Sequence, residues 1–137
     1  MAVFYLDSSA IVKLVREEPE SAALVRYVDG AGLVSSELAL TEVPRAIRRA
    51  AAVDERLAAP PLLEQAAAVL DTIALRPVDR AGFAAAGAID EPALRSLDAL
   101  HLVAAIDLLP LDAFVTYDER QAAVARLAGL RTVAPGA

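Results

Sequence analysis

Short apolar runs alternate with stretches of helical period along the chain. Val3–Leu6 is a β-rich apolar run that stops at Asp7-Ser8-Ser9, where a serine is a natural cap for a following helix. Ile11, Leu14 and Val15 fall on one face of that helix. Pro19-Glu20-Ser21 breaks it and starts a second, carrying Leu24, Val25 and Val28, which ends at Asp29-Gly30-Ala31-Gly32. Leu33–Ser35 reads as a strand, and Glu37–Ala52 as a helix with Leu38, Val43, Ile47 and Ala50 inward. Pro44 removes one backbone bond there, so this helix is expected to begin late or bend close to Glu42.

Ala58-Ala59-Pro60-Pro61 separates a further helix, Leu62–Ile73, from what precedes it. A strand at Ala74–Val78, a small-residue helix at Ala81–Ile89 and a loop at Asp90-Glu91-Pro92 follow. The helix Ser96–Leu109, a strand at Ala113–Thr116, the helix Glu119–Ala128 capped by Gly129, and a last strand at Arg131–Val133 complete the pattern. Strands alternating with helices predict an α/β protein: one domain over residues 1–137, with a central parallel sheet of four to five short strands covered on both faces.

Composition narrows the chemistry. Lys+Arg 13 against Asp+Glu 19 leaves a net charge of −6, the wrong sign for holding nucleic acid by bulk electrostatics. With no cysteine, thiol nucleophiles, disulfides, thiolate zinc sites and iron–sulfur clusters are excluded. His101 is the only histidine, so there is no HExxH site, and no G-x-S-x-G turn supports a serine triad. The N-terminus has no basic region and meets Asp7 early, unlike a secretory signal, and the longest apolar stretch falls well short of the ~20 residues of a membrane span. A soluble cytoplasmic protein is expected.

In open parallel sheets ligands collect outside the carboxyl ends of the strands. Asp7 follows the first strand and Asp118 the fourth, while Glu42 and Asp98 interrupt apolar runs on helices near that edge. Each has an ordinary role of its own: Asp7 and Asp118 as helix caps, Glu42 and Asp98 as exposed helical acids. Together they suit a hard divalent cation such as Mg²⁺ or Mn²⁺, which takes oxygen ligands and activates water against phosphorus. Phosphodiester hydrolysis is the natural reaction. Four ligand acids would reduce the free charge from −6 to −2, so an acidic chain no longer excludes RNA.

Tyr5-Leu6-Asp7-Ser8-Ser9-Ala10, Glu42 in its Leu/Val/Ala-rich helix, Leu97-Asp98-Ala99-Leu100-His101-Leu102-Val103-Ala104-Ala105 and Phe114-Val115-Thr116-Tyr117-Asp118 resemble the PIN domain, most closely the VapC toxins of bacterial toxin–antitoxin pairs. The resemblance runs nearly end to end; D-A-L-H-L and F-V-T-Y-D are its most specific strings. It implies a three-layer α/β/α fold and a metal-dependent endoribonuclease, often a homodimer, inhibited by a VapB-type antitoxin. It also implies that Asp7, Glu42, Asp98 and Asp118 form the metal site, with Ser9 and Thr116 as hydroxyls near it. Pro44 is the departure from the family pattern.

Arg45 follows Glu42 at helical spacing and is read as a contact for RNA phosphate or an antitoxin segment, against the ordinary role of a solvated helix charge. His101, three residues after Asp98, is expected to pack or hydrogen-bond to a neighbour rather than catalyse. Among Glu37, Asp107, Asp112 and Glu119, all read as surface or capping acids, Glu119 is the one expected nearest the site. The apolar faces of the first four helices are read as core, part of them open to an antitoxin helix. A haloacid-dehalogenase-like phosphatase would need an Asp where Ser9 stands, and a receiver domain would need a lysine late in the chain, whereas Lys13 is the only one. The remaining alternative is a PIN-like module that binds a partner without catalysing.

Overall fold

The computed structural model describes residues 1–137 and alternates five strands with seven helices. In chain order these are β1 (Val3–Leu6), α1 (Ser8–Val15), α2 (Ser21–Val28), β2 (Gly32–Ser36), α3 (Ala39–Val53), α4 (Ala59–Asp71), β3 (Ala74–Arg76), α5 (Arg80–Gly87), α6 (Ser96–Asp107), β4 (Ala113–Val115), α7 (Glu119–Leu127) and β5 (Thr132–Val133). All strand pairs are parallel, in the order β3-β2-β1-β4-β5, with Tyr5 of β1 beside both Val34 and Phe114.

The period-2 alternation of strand side chains divides the core into two layers. Phe4, Leu6, Ala113 and Val115 face one side, where Ile11, Leu24, Val43, Ile47 and Leu70 of α1 to α4 cover them. Tyr5 and Phe114 face the other side and stack at 5.3 Å, against Leu102 and Ala105 of α6 and Ala125 of α7. Such an aromatic pair adds about 0.5–1.5 kcal/mol beyond its buried area. The expected three-layer α/β/α architecture is therefore present.

Chain connections run from β1 outward through β2 to β3, then return across to β4 and β5. The order reverses between β1 and β4, which opens a crevice where both strands end. Asp7 lies directly after β1, and Thr116 to Asp118 directly after β4.

Several element ends differ from the expected ones. Asp7, not a serine, caps α1: its carboxylate accepts the Ala10 N–H. Helix α3 begins at Ala39, two residues after the expected Glu37, and runs on through Pro44 to Val53. Its first turn is tightened, Thr41 and Glu42 both donating to the Leu38 carbonyl. Helix α4 starts at Ala59 and takes Pro60 and Pro61 into its first turn, where their missing N–H groups have no intrahelical partner to lose, so the expected separator is the helix start. β3 stops at Arg76 because Pro77 has no N–H to continue the ladder.

Candidate active site

A cleft of about 380 Å³ opens at the β1/β4 reversal and is lined by Asp7, Glu42, Asp98 and Asp118 together with Ser8, Ser9, Lys13, Arg49 and His101. Asp7 is the most deeply held acid. Its Oδ1 accepts from Ser9 Oγ at 2.6 Å and from the Ala10 N–H at 3.1 Å, and its Oδ2 accepts from Thr116 Oγ1. Ser9 Oγ in turn accepts the Tyr117 N–H, and Thr116 Oγ1 accepts the Asp118 N–H. Both hydroxyls thus lock Asp7 to the β4 end. Burial raises the Asp7 carboxyl above its ordinary value against the pull of these donors.

Asp118 caps α7, its Oδ1 accepting from the Arg120 and Gln121 N–H groups. Oδ2 has no such partner. Buried Gln121 reaches from the same turn to the Asp98 backbone carbonyl through Nε2, fixing α6 against α7.

Half-buried Asp98 has no hydrogen-bond or ion-pair partner for its carboxylate. Its pKa is raised first by burial and then by the charges of Asp118, Asp7 and Glu42. Glu42 is partnered instead: Oε1 accepts from Ser8 Oγ at 2.8 Å and lies 2.6 Å from His101 Nε2. Burial pushes the Glu42 carboxyl up, but the His101 and Ser8 contacts outweigh it and hold it below its ordinary value. No three of these side chains are drawn around one point as finished ligands of a single ion; they stand around a shared cleft.

The structure brings all four expected acids and Ser9 to this cleft, with buried Thr116 directly behind Asp7. Arg45 is exposed and does not line it; Arg49 does. At about 100° per residue, i+7 returns to within ~20° of Glu42, whereas i+3 is ~60° away. Glu119 is exposed and outside the cleft, and Asp112 accepts the Val3 N–H at the far end of β1. His101 is buried and hydrogen-bonded, as expected. Ser8 and Lys13 had not been picked out for the site. Lys13 Nζ bonds Glu18 and Glu20 and lies over the Tyr117 ring; its being the only lysine was the one signal available.

The sequence matches the PIN domain over residues 4–127, and the chain belongs to that family. It is 41% identical over 140 residues to ribonuclease VapC35 of Mycobacterium tuberculosis, covering 98% of each chain. It is 42% identical over 137 residues to ribonuclease VapC46 of the same organism, covering 98% of this chain and 99% of that one. In fold it is similar to the crystal structure of M. tuberculosis VapC20, a toxin that cleaves the sarcin–ricin loop, with a TM-score of 0.73 at 17% identity over 96% of this chain and 99% of that one. The VapBC2 complex of Rickettsia felis bound to a promoter DNA fragment matches with a TM-score of 0.64 at 12% identity over 97% and 98% of the respective chains.

Proposed function

We propose that the chain is a VapC-like toxin, an endoribonuclease that depends on Mg²⁺ or Mn²⁺ held among Asp7, Glu42, Asp98 and Asp118 and that a VapB-type antitoxin neutralises. The observation that carries this reading is Asp98: a half-buried carboxylate without a donor, repelled by three other carboxylates of its own cleft. Such a group is costly unless a cation meets it. The donor set is all oxygen, which fits a hard divalent ion. An ion held there supplies Lewis acidity to a water and positive charge to the phosphate.

The chain's own residues do the positioning. Ser9, Thr116 and the α1 N-terminus fix Asp7 so that both its oxygens keep one orientation. Capping of α7 fixes Asp118 by Oδ1 and leaves Oδ2 free. Arg49 places positive charge on the cleft wall, where an RNA phosphate must pass among carboxylates. Exposed Arg45, on the outer side of α3, serves RNA or antitoxin outside the cleft.

An open groove lined by Leu14, Val25, Val28, Leu33 and Val69 suits an apolar antitoxin segment. Exposed Ile106 and Leu127 line one apolar groove, the face on which a homodimer would form. No helix is long and apolar enough to cross a membrane, and the proposed place of action is the cytoplasm.

Asp7→Asn tests the site. It keeps the cap and the shape while removing a charge, so it should fold as wild type does and lose RNA cleavage by at least about a hundredfold, ~2.7 kcal/mol of transition-state stabilisation. Full activity in the folded variant, on a panel of tRNA and rRNA, would refute the assignment.

A further inference from the structure

Behind the acidic cleft, Tyr5 of β1 and His101 of α6 form a buried chain of hydrogen bonds that ends on Glu42. Tyr5 Oη lies 2.7 Å from His101 Nδ1, and His101 Nε2 lies 2.6 Å from Glu42 Oε1. Ser8 Oγ donates to the same Oε1 and sits 3.3 Å from Nε2. His101 is 1% exposed and Tyr5 fully buried, so neither touches RNA. Whatever they do for the cleft they do through Glu42.

The direction of these bonds follows from the inventory of donors. A carboxylate oxygen accepts, so across the 2.6 Å contact with Glu42 Oε1 it is Nε2 that carries the proton and donates. The phenol of Tyr5, fully buried, carries its own proton at neutral pH, as an ordinary phenol does. With Nε2 turned to Glu42, the phenol O–H faces Nδ1 at 2.7 Å and donates to it. Stacking on Phe114 and edge contact with His101 hold the phenol in place for that bond. We infer that Tyr5 and His101 are positioning residues: the phenol keeps the imidazole proton on Nε2, and the imidazole holds Glu42 by Oε1 so that only Oε2 is offered to the cleft. The inference rests on the reading of Glu42 as part of a divalent-metal site. It adds why a buried tyrosine and the chain's only histidine stand behind that site.

Because His101 is the only histidine, the imidazole ¹⁵N and ¹H signals of the whole protein report on this one ring. In wild type, long-range ¹H–¹⁵N spectra at pH 8 should give a protonated Nε2 and a bare Nδ1. Tyr5→Phe keeps the stacked ring and removes only the hydroxyl. It should mix the two tautomers, weaken Mn²⁺ binding by on the order of tenfold, the scale seen when the outer partner of a metal ligand is removed, and lower kcat on RNA with KM unchanged. His101→Gln, which retains an N–H donor, should keep more Mn²⁺ affinity than His101→Leu, which retains none. Any wild-type ring pattern other than a bare Nδ1 overturns the inference. So does a folded Tyr5→Phe protein with unchanged tautomer and Mn²⁺ affinity. If wild type shows the expected tautomer and Mn²⁺ affinity, and Tyr5→Phe disturbs both, while wild type cleaves no RNA, then the ribonuclease reading fails and the positioning role stands.

Discussion

Burial is the largest cause of the raised carboxyl pKa of both Asp7 and Asp98, but what acts beside it differs and separates their variants. Asp7 is raised by burial and opposed by three donors, so its charge is supported locally. Asp98 is raised by burial and then by neighbouring charges, with no donor of its own. A folded-state pKa above the unfolded one means that the native protein binds the Asp98 proton more tightly. The resulting destabilisation is absent below the ordinary value of 3.8 and grows as pH rises through the raised folded value. Asp98→Asn removes it. In EDTA the variant should therefore melt no lower than wild type at neutral pH, and the gap in its favour should shrink on acidification toward pH 3.8; a gap that does not change with pH counts against the charge cluster. Mn²⁺ should reverse the order. A ligand at a hundredfold excess over its Kd stabilises the native state by ~2.7 kcal/mol, several degrees of melting for a domain this size. Wild type should gain that shift, Asp98→Asn should lose most of it, and the exposed control Glu55→Gln should respond as wild type does.

Three helices, α1, α5 and α7, start on an aspartate cap, and the pair α5 and α7 separates stability from site chemistry. Asp79 accepts the Gly82 N–H at 2.8 Å away from the cleft, and Asp118 accepts from Arg120 and Gln121 inside it. Asp79→Ala should cost about 1 kcal/mol in urea unfolding while activity per folded molecule is unchanged. Asp118→Asn keeps a capping oxygen, so its stability should stay within about 0.5 kcal/mol while Mn²⁺ affinity falls. Equal effects of the two variants on metal binding would remove Asp118 from the site. The order of elements was legible in the sequence because a period of two and a period of 3.6 leave different apolar patterns. Their ends were not, because Pro60 and Pro61 read alike as a breaker and as a helix start, and Asp7 competed with Ser8 and Ser9 for one cap. The four acids were legible as positions following strands or interrupting apolar helix faces. Their hydrogen bonding was not: Ser8 meets Glu42 across 34 residues and Tyr5 meets His101 across 96, and no local pattern encodes such pairs. Arg45 is the nearer helical neighbour of Glu42 in sequence, but Arg49, two turns on, lies closer to the same face and lines the cleft.

Across the whole molecule, a net charge of −6 and a cleft with four carboxylates oppose an RNA approaching without a cation. Under the proposed function, an antitoxin with its apolar part in the groove between Leu14, Val28 and Val69 would bring a basic residue to the same acids. Induction of the chain alone in its own host should arrest growth, and co-expression of its cognate VapB-type antitoxin should relieve the arrest. Asp7→Asn should be harmless, and growth unaffected by the active protein would argue against a toxin. RNA should be cleaved only when a divalent ion occupies the cleft, and a chelate-and-restore assay reads this out. Purified wild type is given a fluorescent structured RNA in Mg²⁺, then in excess EDTA, then after Mg²⁺ is returned above the chelator. Cleavage should proceed, stop and resume. Equal cleavage in EDTA would contradict the account.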